Sequence, residues 1–309
     1  MLPLFCGKIG NGSCIQKKTA AAVFFCENEE GILSMKITIL VDNNTIIDQY
    51  YGGEPAVSYF IECDGQRYLF DAGYSDLLLR NAEKMKIDLL DLTAVIISHG
   101  HDDHVRGLQY LAALRKAQAP DTKKPLLVGH AAAFLPKRAG GLAIGSPLTD
   151  EELGQTFSLQ LGRGVQQLSE NLIFLGEVPR SGQWEQPAPI GEVFAGGCWQ
   201  PDFVWDDSAL VYKGAQGLVI ITGCSHAGIC NIIEYAKKVS GDDRVQDVIG
   251  GFHLLQAPAA KLAMTEDYLK ELNPQVVHAG HCTDFQAKCQ LAGVVNLQEI
   301  GVGMILQYD

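Results

Sequence analysis

Apolar residues along this chain fall in short runs, each broken by a loop carrying Gly or Asp and often followed by residues at helical spacing. Residues 36–41 form an apolar stretch of strand type, and residues 58–63 and 67–70 form two more. The last two are joined at Asp64-Gly65, a dipeptide suited to a tight hairpin turn. Asp71-Ala72-Gly73 ends the second of them. Leu77, Leu78, Ala82 and Met85 then recur at helical spacing, which predicts a helix over 75–85 with Ser75 as its cap. Residues 93–97 are a wholly apolar strand that runs into a histidine cluster; a helix is expected over 105–117 and a strand over 125–128. The stretch 139–201 is rich in Gly, Pro and Gln and reads as connecting structure able to cover a site. Residues 209–212 and 217–222 make a second hairpin-like pair, followed by a helix over 229–239, a strand over 245–249, a helix over 260–272 and a short strand at Val276-Val277. No internal repeat is visible. One unit recurs instead: apolar strand, sharp loop with histidine, amphipathic helix. Mixed hairpins and strand–helix units predict an α/β protein with mixed sheets covered by helices, not an all-parallel doubly wound sheet.

Composition narrows the picture. With 309 residues, 47% of them hydrophobic and 19% charged, the chain can bury a large core. A formal charge of -12, with basic residues only in short pairs such as Lys123-Lys124 and Lys237-Lys238, argues against a nucleic-acid partner. Nine cysteines, an odd number with no Cys-x-x-Cys pair, fit reduced thiols in a cytoplasm better than a disulfide framework. No apolar stretch reaches the roughly 20 residues of a membrane span. Residues 19–26 (TAAAVFFC) follow Lys17-Lys18 and faintly resemble a signal peptide, but the run is too short and Glu27, Glu29 and Glu30 follow at once. Residues 1–34 are therefore expected to be an N-terminal appendage to a core domain of residues 35–309.

The chemistry is concentrated at Ser98-His99-Gly100-His101-Asp102-Asp103-His104, where three of the eight histidines fall within six residues. Side chains two apart on extended chain point the same way, so His99 and His101 can grip one ion, while Asp103 and His104 can face a second. A solvated polar loop would not need three histidines and two aspartates directly after a buried strand. Imidazole suits zinc or iron, and carboxylate widens the choice toward manganese.

The motif His99-x-His101-x-Asp103-His104 after a short apolar strand resembles the signature of the metallo-β-lactamase superfamily, as does Leu69-Phe70-Asp71-Ala72-Gly73 upstream. The segment 217–228 (GLVIITGCSHAG), Gly250-Gly251-Phe252-His253-Leu254 and His281-Cys282-Thr283 are similar to one subgroup, the 7,8-dihydropterin-6-methyl-4-(β-D-ribofuranosyl)aminobenzene 5'-phosphate synthases. The resemblance covers residues 35–309. It implies an αββα sandwich with two divalent metal ions at one edge of two mixed sheets, zinc foremost, with iron or manganese as alternatives. Carried over by position, His99 and His101 bind the first ion, Asp103 and His104 the second, and His226 and His281 complete the shells. The bridging Asp of the superfamily would fall near Thr222-Gly223-Cys224 and a further His near 176–179; neither is there. His253 could be a ligand, a general acid or a packed neighbour, and is placed in the active site without direct coordination; Cys224 is a thiolate ligand or an ordinary buried thiol. Asp71 is expected to brace the metal loop by hydrogen bonding. His130 and His278 read as structural, and Asp206 and Asp207 as a solvated turn.

The implied activity is that of a metal-dependent hydrolase, with metal-bound hydroxide attacking a phosphate-containing small molecule, Asp103 orienting the water and His253 protonating the leaving group. The subgroup implies instead a dihydropterin-linked transferase. A non-catalytic ligand sensor and a di-iron redox protein are further alternatives, the last disfavoured by the lack of a flavin-cradling loop.

Overall fold

A computed structural model of the chain describes residues 34–120, 122–180, 184 and 188–309; the expected appendage, apart from Ser34, lies outside them. Two mixed sheets pack face to face. The seven-stranded sheet runs Ile305–Tyr308, Met35–Val41, Ser58–Cys63, Gln66–Phe70, Ala94–Ile96, Leu126–Gly129, Ser158–Leu161, and the six-stranded sheet Val276–Gly280, Val245–Gly251, Gly217–Thr222, Ala209–Gly214, Leu172–Phe174, Gln166–Gln167. Hairpin neighbours are antiparallel, whereas the strands separated by helices run parallel, Phe70 aligning with Ile96 and Ile249 with His278.

Alternation along the central strands explains the layering. Val219 and Ile221 point into the core between the sheets with Ile37, Tyr59, Phe70 and Ile96. Leu218 and Ile220, one residue out of phase, point the other way, into a core shared with the helices Ile229–Ser240 and Ala259–Leu272. On the far side Leu40, Leu69 and Val95 pack against the helices Leu77–Met85 and Leu108–Gln118. A period of two with both faces apolar is what a strand covered on both sides requires. The result is the αββα sandwich.

The stretch expected to be connecting structure is richer than its sequence suggests. It carries the helix Asp150–Thr156, whose start is a capping box in which Thr149 and Glu152 exchange hydrogen bonds. It also builds a four-stranded sheet from Cys198–Pro201, Glu192–Ala195, Lys137–Ala139 and Leu142–Ala143. Two C-terminal elements go beyond the sequence expectation: the helix Phe285–Leu291, capped by Asp284, and the edge strand Ile305–Tyr308. Among the described residues no helix is long and apolar enough to cross a membrane.

Candidate metal centre

Four strands that end at one edge of the sandwich deliver chemistry there. Ala94–Ile96 leads into Ser98 and His99, and a one-turn helix, Asp102–Val105, places Asp103 and His104. Gly217–Thr222 leads into Cys224 and His226, Val245–Gly251 into His253, and Val276–Gly280 into His281. The chain must turn sharply after each strand. Asp71, Ser225, His253 and His281 accordingly take left-handed backbone angles, with φ of 56°, 63°, 50° and 46°. Such angles in non-glycine residues cost energy and tend to gather at functional sites. Gly223 must lack a side chain, because a Cβ there would lie 2.2 Å from Ser98 Oγ.

Two donor groups result. The side chains of His99, His101 and His226 place one ligand atom each within 4.8 Å of one another, and so do those of Asp103, His104, Cys224 and His281. All six metal candidates named from sequence therefore converge, and Cys224 joins them, its Sγ 3.2 Å from His104 Nε2. In the first group His99 Nε2 lies 3.0 Å from His101 Nδ1. His101 Nε2 and both ring nitrogens of His226 are buried with no hydrogen-bond partner. Burial, followed by the neighbouring imidazoles, pushes His99 and His226 well below the usual histidine range, leaving their lone pairs open. His253 stands beside this group, 4.4 Å from His226 between ring centres. Burial and then the charge of Lys261 lower it to about 4.

The second group combines a carboxylate, a thiol and two imidazoles, a set able to hold a cation. Burial alone would hold His104 low, but Asp103 and Asp71 outweigh it and raise the ring to about 9. For Asp103 burial works toward the neutral form, and His104 and His281 overcome it, so its carboxylate stays ionised. Asp103 Oδ2 lies 3.3 Å from His281 Nε2 and 3.6 Å from His104 Nε2. Burial and then Cys282 push the Cys224 thiol up; a bound cation reverses that preference.

Asp71 braces the centre from beneath. It accepts from Ser98 N, from Ser98 Oγ and from His104 Nδ1, each at 2.7 Å. That third bond aims His104 Nε2 at the second group.

Asp206 and Asp207 correct the sequence reading. They are not a solvated turn but buried, at 1% and 0% exposure. Asp206 accepts from Gly100 N at 2.7 Å and from Lys137 Nζ at 3.0 Å, and Lys137 also donates to Asp202 at 2.8 Å. The latch fastens the four-stranded sheet to the metal loop. Asp207 accepts from Ala227 N, and its other oxygen lies 4.0 Å from His99 Nδ1. A polar Asp-Asp-Ser stretch before the apolar run 209–212 carried no signal of burial. His130 and His278 lie outside both groups, bonded to Glu177 and Asp247.

Comparison with known proteins agrees with this geometry. Residues 51–152 match the family model described as the metallo-β-lactamase superfamily. An uncharacterized protein of Methanocaldococcus jannaschii is 32% identical over 274 residues, 87% of this chain and 99% of the relative. A second protein of that organism, named 7,8-dihydropterin-6-methyl-4-(β-D-ribofuranosyl)-aminobenzene-5'-phosphate synthase, is 29% identical over 82% of this chain and 90% of its own. Among solved structures, one described as a metal-dependent hydrolase of the β-lactamase superfamily superposes with a TM-score of 0.74 at 28% identity, covering 88% of this chain and 98% of that one. The metallo-β-lactamase fold protein YhfI of Bacillus subtilis shares the fold at a TM-score of 0.56 and 12% identity, over 89% of this chain and 99% of its own.

Proposed function

This chain belongs to the metallo-β-lactamase superfamily, and from that premise we propose that it is a metal-dependent hydrolase of a phosphate-containing small molecule. The observation that carries the proposal is the set of buried, unpartnered nitrogens of His101 and His226 beside His99. Each buried polar atom left unpaired costs about 1–3 kcal/mol, and a cation shared among them removes that cost. His99, His101 and His226 would hold one divalent ion, and Asp103, His104, Cys224 and His281 a second. The sulfur of Cys224 and the surrounding imidazoles favour zinc or ferrous iron over manganese. When bound, such ions acidify water and offset the charge of a phosphoryl group.

The residues supply the rest. Ionised Asp103 accepts a hydrogen bond from the attacking water and fixes its direction. His253 is neutral near pH 7, so its ring donates a hydrogen bond to the leaving oxygen; an anionic substrate raises its proton affinity and so favours the imidazolium, the form that can hand a proton to that oxygen. A second reading, a dihydropterin-linked transferase, is favoured by the 29% identical synthase. Both readings place a phosphate or pyrophosphate against the same cations.

The test is elemental analysis of the full chain purified without chelator, paired with hydrolysis of bis(p-nitrophenyl) phosphate. We expect up to two transition-metal ions per chain and turnover that chelation abolishes and zinc restores. No transition metal, either as purified or after reconstitution, would overturn the reading. A metal-loaded protein inert toward phosphate esters would overturn the hydrolase and leave the transferase.

A further inference from the structure

The first strand, Met35–Val41, runs parallel to Gln66–Phe70 and Ala94–Ile96 and so ends at the same edge as the metal loops. The three residues that follow it, Asp42-Asn43-Asn44, belong to neither donor group, yet they reach across to the C-terminal part of the chain. Asn44 O accepts from Val302 N at 2.9 Å, and Asn44 Nδ2 donates to Ile300 O at 3.2 Å. Asp42 Oδ1 accepts from Asn44 N at 2.9 Å and closes the turn. Gly280 leaves room for Asp42, since a Cβ there would lie 2.9 Å from Asp42 Oδ2. Asn43, between the two, meets His281 at two points. Its Nδ2 donates to His281 O at 3.3 Å, and its Oδ1 lies 3.0 Å from His281 Nδ1.

Together these two contacts fix where a proton sits. A backbone carbonyl can only accept, so the Asn43 amide turns its nitrogen to His281 O and its oxygen to the ring. An amide oxygen can only accept as well, so His281 Nδ1 carries hydrogen. In a neutral imidazole the lone pair is then on Nε2. Nε2 is the nitrogen that lies 3.3 Å from Asp103 Oδ2, on the side of the second donor group. The backbone is braced at the same time. His281 has φ 46° and is the first central residue of a turn closed by Thr283 N on Gly280 O at 2.9 Å. A left-handed residue of this kind persists only where its surroundings hold it, and the Asn43 amide holds its carbonyl. Asn43 is itself exposed, so its side chain contributes nothing to the core.

We propose that Asn43 is a positioning residue of the metal centre: it sets the orientation and tautomer of His281, so that Nε2 offers its lone pair to the second ion. With Nδ1 released, the hydrogen can move to Nε2 and be donated to Asp103, and the ring then has no lone pair for the ion. The inference rests on the reading of His281 as a ligand of the second ion and is independent of the substrate.

The test uses the zinc-loaded full chain with isotope-labelled histidine. Long-range proton–nitrogen spectra distinguish a ring nitrogen that carries hydrogen from one that binds metal, and the His281 signals are assigned by their loss in His281→Gln. The unmodified protein should show hydrogen on Nδ1 and metal on Nε2. Asn43→Leu keeps the shape and removes both contacts. There the second zinc ion should bind about 10–100-fold more weakly in a chelator competition, with the first unchanged, and the Nδ1 hydrogen should exchange faster with water. Asn43→Asp restores the acceptor and should keep that hydrogen protected, which a role in loop packing alone would not require. Hydrogen on Nε2 in the unmodified protein overturns the inference, as does an Asn43→Leu chain whose second-site affinity is unchanged. Equal weakening of both sites overturns it too, because it would assign Asn43 to folding, and so does failure of a second ion to bind. Absence of phosphate-ester hydrolysis alongside the expected spectra would instead count against the hydrolase alone.

Discussion

A single carboxylate, Asp103, sits where holding an ion and directing a water molecule are both possible, and the two roles can be separated. Asp103→Asn keeps the shape and removes the charge. Occupancy of the His99/His101/His226 group should survive, while turnover on a phosphate ester falls by about 10²–10⁴-fold. His99→Ala should remove both the first ion and the activity. Near-normal turnover in Asp103→Asn would show that the carboxylate only shapes the loop. Asp71 is a different case, since it reaches the centre through Ser98 and His104. Asp71→Asn should weaken metal affinity by about 10–100-fold in a chelator competition; an unchanged affinity would mean that His104 is aimed by packing alone. The six candidate ligands were legible in the sequence because each follows an apolar strand at a sharp loop. Lys137, Asp202, Asp206 and Asp207 were not, because a charged residue shows no burial until its partner, here dozens of positions away, is known.

At the level of elements, what could be read was what repeats. Strands buried on both faces and helices with an apolar stripe carried their own periodicity, as in Gly217–Thr222 and Ile229–Ser240. The two-residue strands Leu142–Ala143 and Gln166–Gln167 could not carry one. The helix Asp150–Thr156 carries a signal of its own, Thr149 with Glu152 three residues on, inside a stretch otherwise rich in Gly, Pro and Gln. The turn at Asp64 offers a test of how elements are stapled. Its carboxylate accepts from Ser169 Oγ at 2.7 Å and Asn171 N at 2.9 Å, tying the hairpin Ser58–Cys63/Gln66–Phe70 to the start of Leu172–Phe174. Burial raises its pKa, and these hydrogen bonds more than offset that, so the net shift is downward. A folded value below the unfolded one means that the charged carboxylate stabilises above about pH 4, and that this contribution is lost as pH falls through the folded value. Asp64→Ala should thus be less stable than the unmodified protein in urea at pH 7, with the gap closing below about pH 4. A gap independent of pH would assign the effect to packing.

Across the whole molecule, each donor group draws on both halves of the chain. His99, His101, Asp103 and His104 follow a strand of one sheet, while Cys224, His226 and His281 follow strands of the other. A bound ion is therefore a bridge between the sheets and favours only the state in which they are docked. At a free metal concentration a hundred times the dissociation constant, each site should add about 2.7 kcal/mol, or roughly 5–10 °C in melting temperature for a domain of this size. Scanning calorimetry with and without chelator measures this directly, and superimposable melts would show that the donors are already satisfied without an ion.

The latch of Lys137 on Asp202 and Asp206 divides the chain into two inheritances. Every donor to the metal centre lies before residue 105 or after residue 223, whereas Arg180, Ile190, Phe203 and Val204, which line a cavity of about 470 Å³ beside His226 and His253, come from the stretch between. Within that stretch, residues 188–205 lie between the core strands Leu172–Phe174 and Ala209–Gly214 and belong to neither main sheet. A chimaera carrying a relative's version of residues 188–201, with Lys137, Asp202 and Asp206 kept, should exchange what the protein accepts while leaving untouched how it grips its ions.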